Sequence, residues 1–144
     1  MSEHHLMIIG AERVDADQAD EVRSPYDGRV LGSVPVGTTK HLDAAIATAK
    51  ATLAAGAIPT HERAAILDRL AEALTARQEE FAQSISAEAA KPISTARVEA
   101  SRAIDTARFS AAVARTMTSE ALTLDASPAG EGKTGFIKKV PIGV

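Results

Sequence analysis

The sequence predicts a chain that is mostly α-helical, with a β-hairpin at its start and a strand at its end. Three observations carry that expectation. Between Thr39 and Met117, apolar residues recur three and four positions apart, the spacing of one helix face. Before Thr39 the pattern is short apolar runs punctuated by turn residues, with Asp27-Gly28 as the strongest hairpin signal. After the polar stretch "DASPAGEGKTG" the chain closes on a second apolar run, "FIKKVPIGV".

Taken in order, "LMIIG" is a short apolar strand. Ser24-Pro25 opens a turn, Asp27-Gly28 closes it, and Arg29 to Val34 form the returning strand. Leu42, Ile46, Ala49 and Leu53 define the first helix, which Gly56 and Pro59 end. Thr60 is placed to cap a second helix, and Glu62 puts a negative charge in its first turn, where the helix dipole favours one. Leu67, Leu70, Leu74, Phe81 and Ile85 line its expected buried face, and Lys91-Pro92 breaks it. Ser94 is placed to cap a third helix running to about Met117. The expected divisions are 1–38 for the hairpin arm, 39–118 for a three-helix layer, and 119–144 for a loop and strand. There is no internal repeat.

Composition narrows the function. The apolar fraction is 45%, but 30 of the 144 residues are alanine and aromatics make up only 3%. Alanine buries little area, and hydrophobic stabilisation follows area, so this core is thin and its helices must pack closely or lean on something outside the chain. A net charge of −3 without a basic block argues against nucleic acid. No run approaches the ~20 apolar residues of a membrane-spanning helix. "MSEHHLMIIG" lacks the basic start and long apolar core of a secretory signal, so the expected location is cytoplasmic. With no cysteine, disulfides, thiolate metal sites and cysteine nucleophiles are excluded from these residues.

"GEGKTG" at 130–135 imitates the end of a phosphate-binding loop. The motif needs a glycine where Ser127 stands, and it needs a strand before and a helix after. Here the order is reversed, so the stretch reads as a turn with a surface lysine. The third helix is more informative. Ala100, Ala103, Ile104, Ala107, Ala111 and Ala114 form a face of small residues suited to close packing. A second stripe holds Val98, Arg102, Asp105 and Phe109. Two readings of Arg102 follow: an exposed pair with Asp105 at i,i+3, or an arginine at a pocket lip gripping a carboxylate or phosphate. His4, His5, His41 and His61 show no ligand spacing, with His4-His5 in an unordered terminus. Glu79, Glu80 and Glu88 read as a solvated face. No glycine-rich dinucleotide fingerprint occurs.

Placed in order, these segments resemble the N-terminal portion of the NAD(P)-dependent aldehyde dehydrogenase family. "SPYDGRVLGSVPVGT" is similar to that family's N-P-x-x-G-x-x-[IL]-x-x-V-P hairpin, and "VGTTKHLDAAIATAKATLAA" to its first helix. "PTHERAAILDRLAEALTARQEEFAQSISAEAAKPI" resembles the helix ending in E-x-G-K-P, and "RVEASRAIDTARFSAAVAR" the helix after it. "FIKKVPIGV" resembles the segment entering the first strand of the cofactor domain. Ser24 stands for the usual Asn, Ala90 for the usual Gly, and the tryptophan often found between the first two helices is missing.

The resemblance implies an α/β parent with a Rossmann-like cofactor domain, in which aldehyde is oxidised to acid through a cysteine thiohemiacetal with NAD or NADP. The oxyanion-hole asparagine, cofactor lysine, glutamate base and cysteine nucleophile would all lie beyond Val144. The chain alone is then expected to be inactive and to bind no cofactor. In the family, the positions of Val98 and Arg102 face the mouth of the substrate tunnel, and members acting on small anionic aldehydes often carry arginine there. The implied partners are a small anionic aldehyde and, at full length, further copies in a dimer or tetramer. The competing expectation is a free-standing, non-catalytic helical interaction module derived from such an enzyme.

Overall fold

The computed structural model describes residues 3–144. Five strands come first: β1 (Glu3–His4), β2 (Met7–Ile9), β3 (Glu12–Val14), β4 (Ala19–Arg23) and β5 (Val30–Pro35). Four helices follow: α1 (Thr39–Ala54), α2 (Thr60–Ala76), α3 (Gln78–Ala89) and α4 (Ile93–Thr116). The chain closes with β6 (Glu120–Thr123), a 3-10 turn at Pro128–Gly130, and β7 (Thr134–Ile137).

The expected hairpin is β4–β5, antiparallel with Val22 opposite Gly32, and Gly28 supplies a left-handed φ of 74° at its turn. β1 adds to the far edge of β5 in parallel, placing His4 beside Ser33. The His4-His5 terminus is therefore ordered, contrary to expectation. Asp15 Oδ1 accepts from His4 Nε2 at 3.1 Å, and His4 Nδ1 lies 2.8 Å from Ser33 Oγ, so one imidazole ties β1 to β5 and to the end of β3. β2 and β3 form a separate antiparallel hairpin.

The long helix expected over 60–90 is two helices. Arg77, at φ −118° and ψ 19°, ends α2, and its N–H bonds to the Leu74 carbonyl at 3.3 Å. Neither glycine nor proline marks the break. Its cause is tertiary: α2 and α3 both pack along the 24-residue α4, and the change of direction keeps both in contact with it. Arg77 stabilises the corner by donating Nε and Nη2 to Glu80 at 2.8 and 2.5 Å while its guanidinium sits 5.4 Å from the Phe81 ring centre.

Both predicted caps are corrected. Thr60 and Ser94 lie inside their helices, Pro59 and Pro92 hold the cap positions, and no side chain caps either end. A proline before the helix has no N–H to leave unsatisfied.

The core is a seam of alanines. Ala64 and Ala71 of α2, Ala82 of α3, and Ala96, Ala100, Ala107, Ala111 and Ala114 of α4 are buried, with Ile104 the one larger core side chain described. Leu70 and Phe81, expected inside, are exposed, and so is Ala103. Small residues bring helix axes toward the lower end of the usual 8–10 Å separation, and larger side chains are then pushed to the flanks. α1 buries no residue, and its contacts are with β2.

β6 and β7 pair antiparallel around the loop read from sequence. Gly130 makes that loop possible, because a Cβ there would lie 1.6 Å from the Leu124 carbonyl oxygen. The closing strand is shorter than expected: it ends at Ile137, and 138–144 form no regular element.

Candidate functional site

The stripe read on the third helix is on the outer face of α4. Val98 is 52% exposed and Phe109 74%, while the opposite face is the alanine seam. Ser94, Thr95, Val98, Glu99 and Arg102 together line a shallow groove of about 420 Å³ at the N-terminal half of α4. Both residues singled out in the sequence, Val98 and Arg102, therefore border one concavity.

The simpler reading of Arg102 does not hold. Asp105 lies 3.7 Å from Arg108, and the Arg102 guanidinium has no hydrogen-bond or ion-pair partner among the described residues. The Arg102 carbonyl accepts from Thr106 Oγ1 at 2.8 Å, which leaves the side chain uninvolved. The groove thus offers a planar five-donor cation next to an apolar Val98, with the hydroxyls of Ser94 and Thr95 on the same rim.

Glu99 in this groove, and its partner Lys91 outside it on the α3–α4 turn, escaped the sequence reading. Glu99 accepts from Lys91 Nζ at 2.5 Å across the α3–α4 turn, whereas the sequence marks Lys91 only as part of a helix breaker. Glu99 stands three positions before Arg102, which is a visible signal. That Lys91 reaches it depends on the turn geometry, which the spacing does not reveal.

Ion pairing elsewhere is structural. Arg97 donates to Glu79 through Nε and Nη2 at 3.0 and 2.9 Å, linking α4 to α3. Arg115 pairs with Asp68, linking α4 to α2. Hydrogen bonding from Arg115 holds the Asp68 carboxyl below its usual range, and Arg77 does the same to Glu80. Glu79 and Glu80 are therefore exposed partners of arginines, in line with the solvated face expected from sequence. Lys133 of the "GKTG" stretch donates Nζ to the Ala129 carbonyl at 2.7 Å, and a strand follows it, so no phosphate cradle exists there. No cluster of three metal-ligating side chains occurs among the described residues, and no described helix is long and apolar enough to cross a membrane.

Two larger grooves are apolar. One lies between β2 and α1, around Ile8 and Leu42, and the other between α2 and α4, around Leu67, Phe109 and Met117. A third groove, between the β4–β5 turn and the α3–α4 junction, is polar and is lined by Ser24, Tyr26, Asp27, Arg29 and Lys91 among others.

A β-hairpin followed by a layer of helices is an architecture this chain shares with the N-terminal part of one class of oxidoreductase. Residues 13–144 match the aldehyde dehydrogenase family, and the chain belongs to it. It is 31% identical over all 144 residues to 3-sulfolactaldehyde dehydrogenase of Priestia megaterium, covering 30% of that protein. Among solved structures it superposes with TM-score 0.86 and 33% identity on aldehyde dehydrogenase 21 from Physcomitrella patens in complex with the reaction product succinate, covering 94% of this chain and 29% of that one. NADP-dependent glyceraldehyde-3-phosphate dehydrogenase from Bacillus halodurans, complexed with NADP, gives TM-score 0.82 and 29% identity over 92% of this chain and 28% of that one. The chain spans less than a third of the length of the relatives it matches.

Proposed function

We propose that these residues are the N-terminal portion of an NAD(P)-dependent dehydrogenase that oxidises a small anionic aldehyde to its acid, with Arg102 and Val98 at the mouth of the substrate tunnel. In this reading 1–38 form an arm for the oligomer, 39–118 a helical layer beside the cofactor domain, and 119–144 the path toward its sheet. The observation that carries the substrate class is the free Arg102 guanidinium in a groove beside Val98. Similarity to enzymes named for 3-sulfolactaldehyde and glyceraldehyde 3-phosphate, both anionic aldehydes, supports it.

The chain's own part is binding and orientation. Arg102 would hold the anionic tail by charge-assisted hydrogen bonds while Val98 packs against the carbon chain, leaving the aldehyde carbon pointed inward. The cofactor, when bound, supplies the hydride acceptor. The nucleophilic cysteine would lie beyond Val144, since these residues contain no cysteine, and by the family resemblance so would the glutamate base. The 144 residues alone would then be inactive.

In the complete enzyme, Arg102→Leu is expected to raise KM for succinic semialdehyde roughly ten- to a hundredfold and to spare butanal, as loss of a charged hydrogen bond implies. Equal changes for the acid and its neutral counterpart would sink the assignment.

The second reading, a free-standing interaction module, draws on the exposed apolar side chains of α4, among them Phe109 and Val113. Intact mass separates the two. A value near 15.0 kDa favours the module, and one near 15.0 kDa divided by the 30% share, roughly 50 kDa, favours the dehydrogenase.

A further inference from the structure

Arg102 has an acid one helical turn away on either side, Glu99 at i−3 and Asp105 at i+3. Both spacings are those at which helix side chains of opposite charge pair. Neither acid takes Arg102. Asp105 sits 3.7 Å from Arg108, and Glu99 accepts from Lys91 Nζ at 2.5 Å. Lys91 is well anchored for this: Ser86 Oγ donates to its carbonyl at 2.7 Å, and Pro92 follows it directly. Its ammonium thus comes from a fixed point on the α3–α4 turn rather than from α4 itself.

We propose that Lys91 is a positioning residue for substrate charge: by occupying Glu99 it keeps Arg102 unpaired and the groove open to a small oxyanion. This rests on the reading of Arg102 given above. Without Lys91, Glu99 is free to turn to Arg102, and a carboxylate of the protein then competes with the carboxylate, sulfonate or phosphate of the substrate. Lys91 itself touches no substrate in this scheme.

The test is steady-state kinetics of the complete dehydrogenase with succinic semialdehyde and butanal, using Lys91→Met, Lys91→Arg, Lys91→Met combined with Glu99→Gln, and Arg102→Leu. Lys91→Met is expected to raise KM for succinic semialdehyde about two- to fivefold, the factor by which an exposed charge pair competes for one partner, with kcat and butanal kinetics unchanged. Lys91→Arg keeps the wild-type KM, and adding Glu99→Gln to Lys91→Met restores it. If Lys91→Met affects both aldehydes alike, or the double variant is no better than the single, Lys91 only braces the turn and the proposal fails. If Arg102→Leu is selective while Lys91→Met is silent, the proposal falls and the Arg102 assignment stands. An Arg102→Leu variant with no preference overturns both.

Discussion

Glu79 accepts two hydrogen bonds from Arg97 and one from Gln83, and these hold its carboxyl at about 2 in place of the usual 4.5. The folded-state value is depressed, so between the two values the unfolded chain binds more protons than the folded one. The stabilisation from this pair is therefore present above pH 4.5 and is lost as pH falls toward 2. Asp68 and Glu80 are shifted in the same direction by Arg115 and Arg77 and add to the same loss. Denaturant melts at a series of pH values should show stability falling across this window, with a shallower fall in Glu79→Gln. An unchanged slope in that variant would mean the Arg97 pair does not persist in solution. Residue by residue, which side chains share a helix face was legible and partnership was not. The Val98–Arg102–Phe109 stripe could be read from spacing, because helix periodicity fixes which side chains share a face. Which acid holds which base depends on rotamers and on neighbouring elements, so Asp105 went to Arg108 and Glu99 to Lys91.

At the level of elements, the α3–α4 junction turns on Ala90, whose φ of 53° is left-handed. An L-residue with a Cβ pays about 1–2 kcal/mol in that region, and glycine does not. Ala90→Gly is expected to stabilise the junction by about 1 kcal/mol, because the added freedom of the unfolded glycine offsets part of the relief. Thermal melting of the complete protein would show it, and an unchanged or lower Tm would mean the junction relaxes differently. The other boundaries show where local signals suffice. Asp27-Gly28 announced its hairpin because the turn's dihedrals demand that chemistry. Arg77 announced nothing: the break between α2 and α3 is imposed by α4, and no residue type encodes it. The same limit hid β1, since a two-residue strand paired in parallel with β5 has no pattern of its own.

For the whole molecule, thinness of the core was legible from alanine content alone, and the structure places Leu42, Leu70, Phe109, Val113, Phe136 and Ile142 at exposures of 37% or more. Such an apolar surface is more than a self-sufficient domain of this size usually leaves in water. The isolated 144 residues should bind an apolar fluorescent dye strongly and melt over a broad range, and a sharp transition with little dye signal would contradict this. What remained illegible was packing rank: Leu70 and Phe81 were expected inside and alanine occupies that place, because helices brought close by small side chains leave no room between them for large ones. That seam has a consequence for how the protein can vary. Ala96, Ala100, Ala107 and Ala111 admit hardly any heavier side chain, whereas Val98 and Arg102, on the same helix, border an open groove. One helix thus carries a frozen side and a free side, and residues can be exchanged along the second while the first keeps the architecture intact.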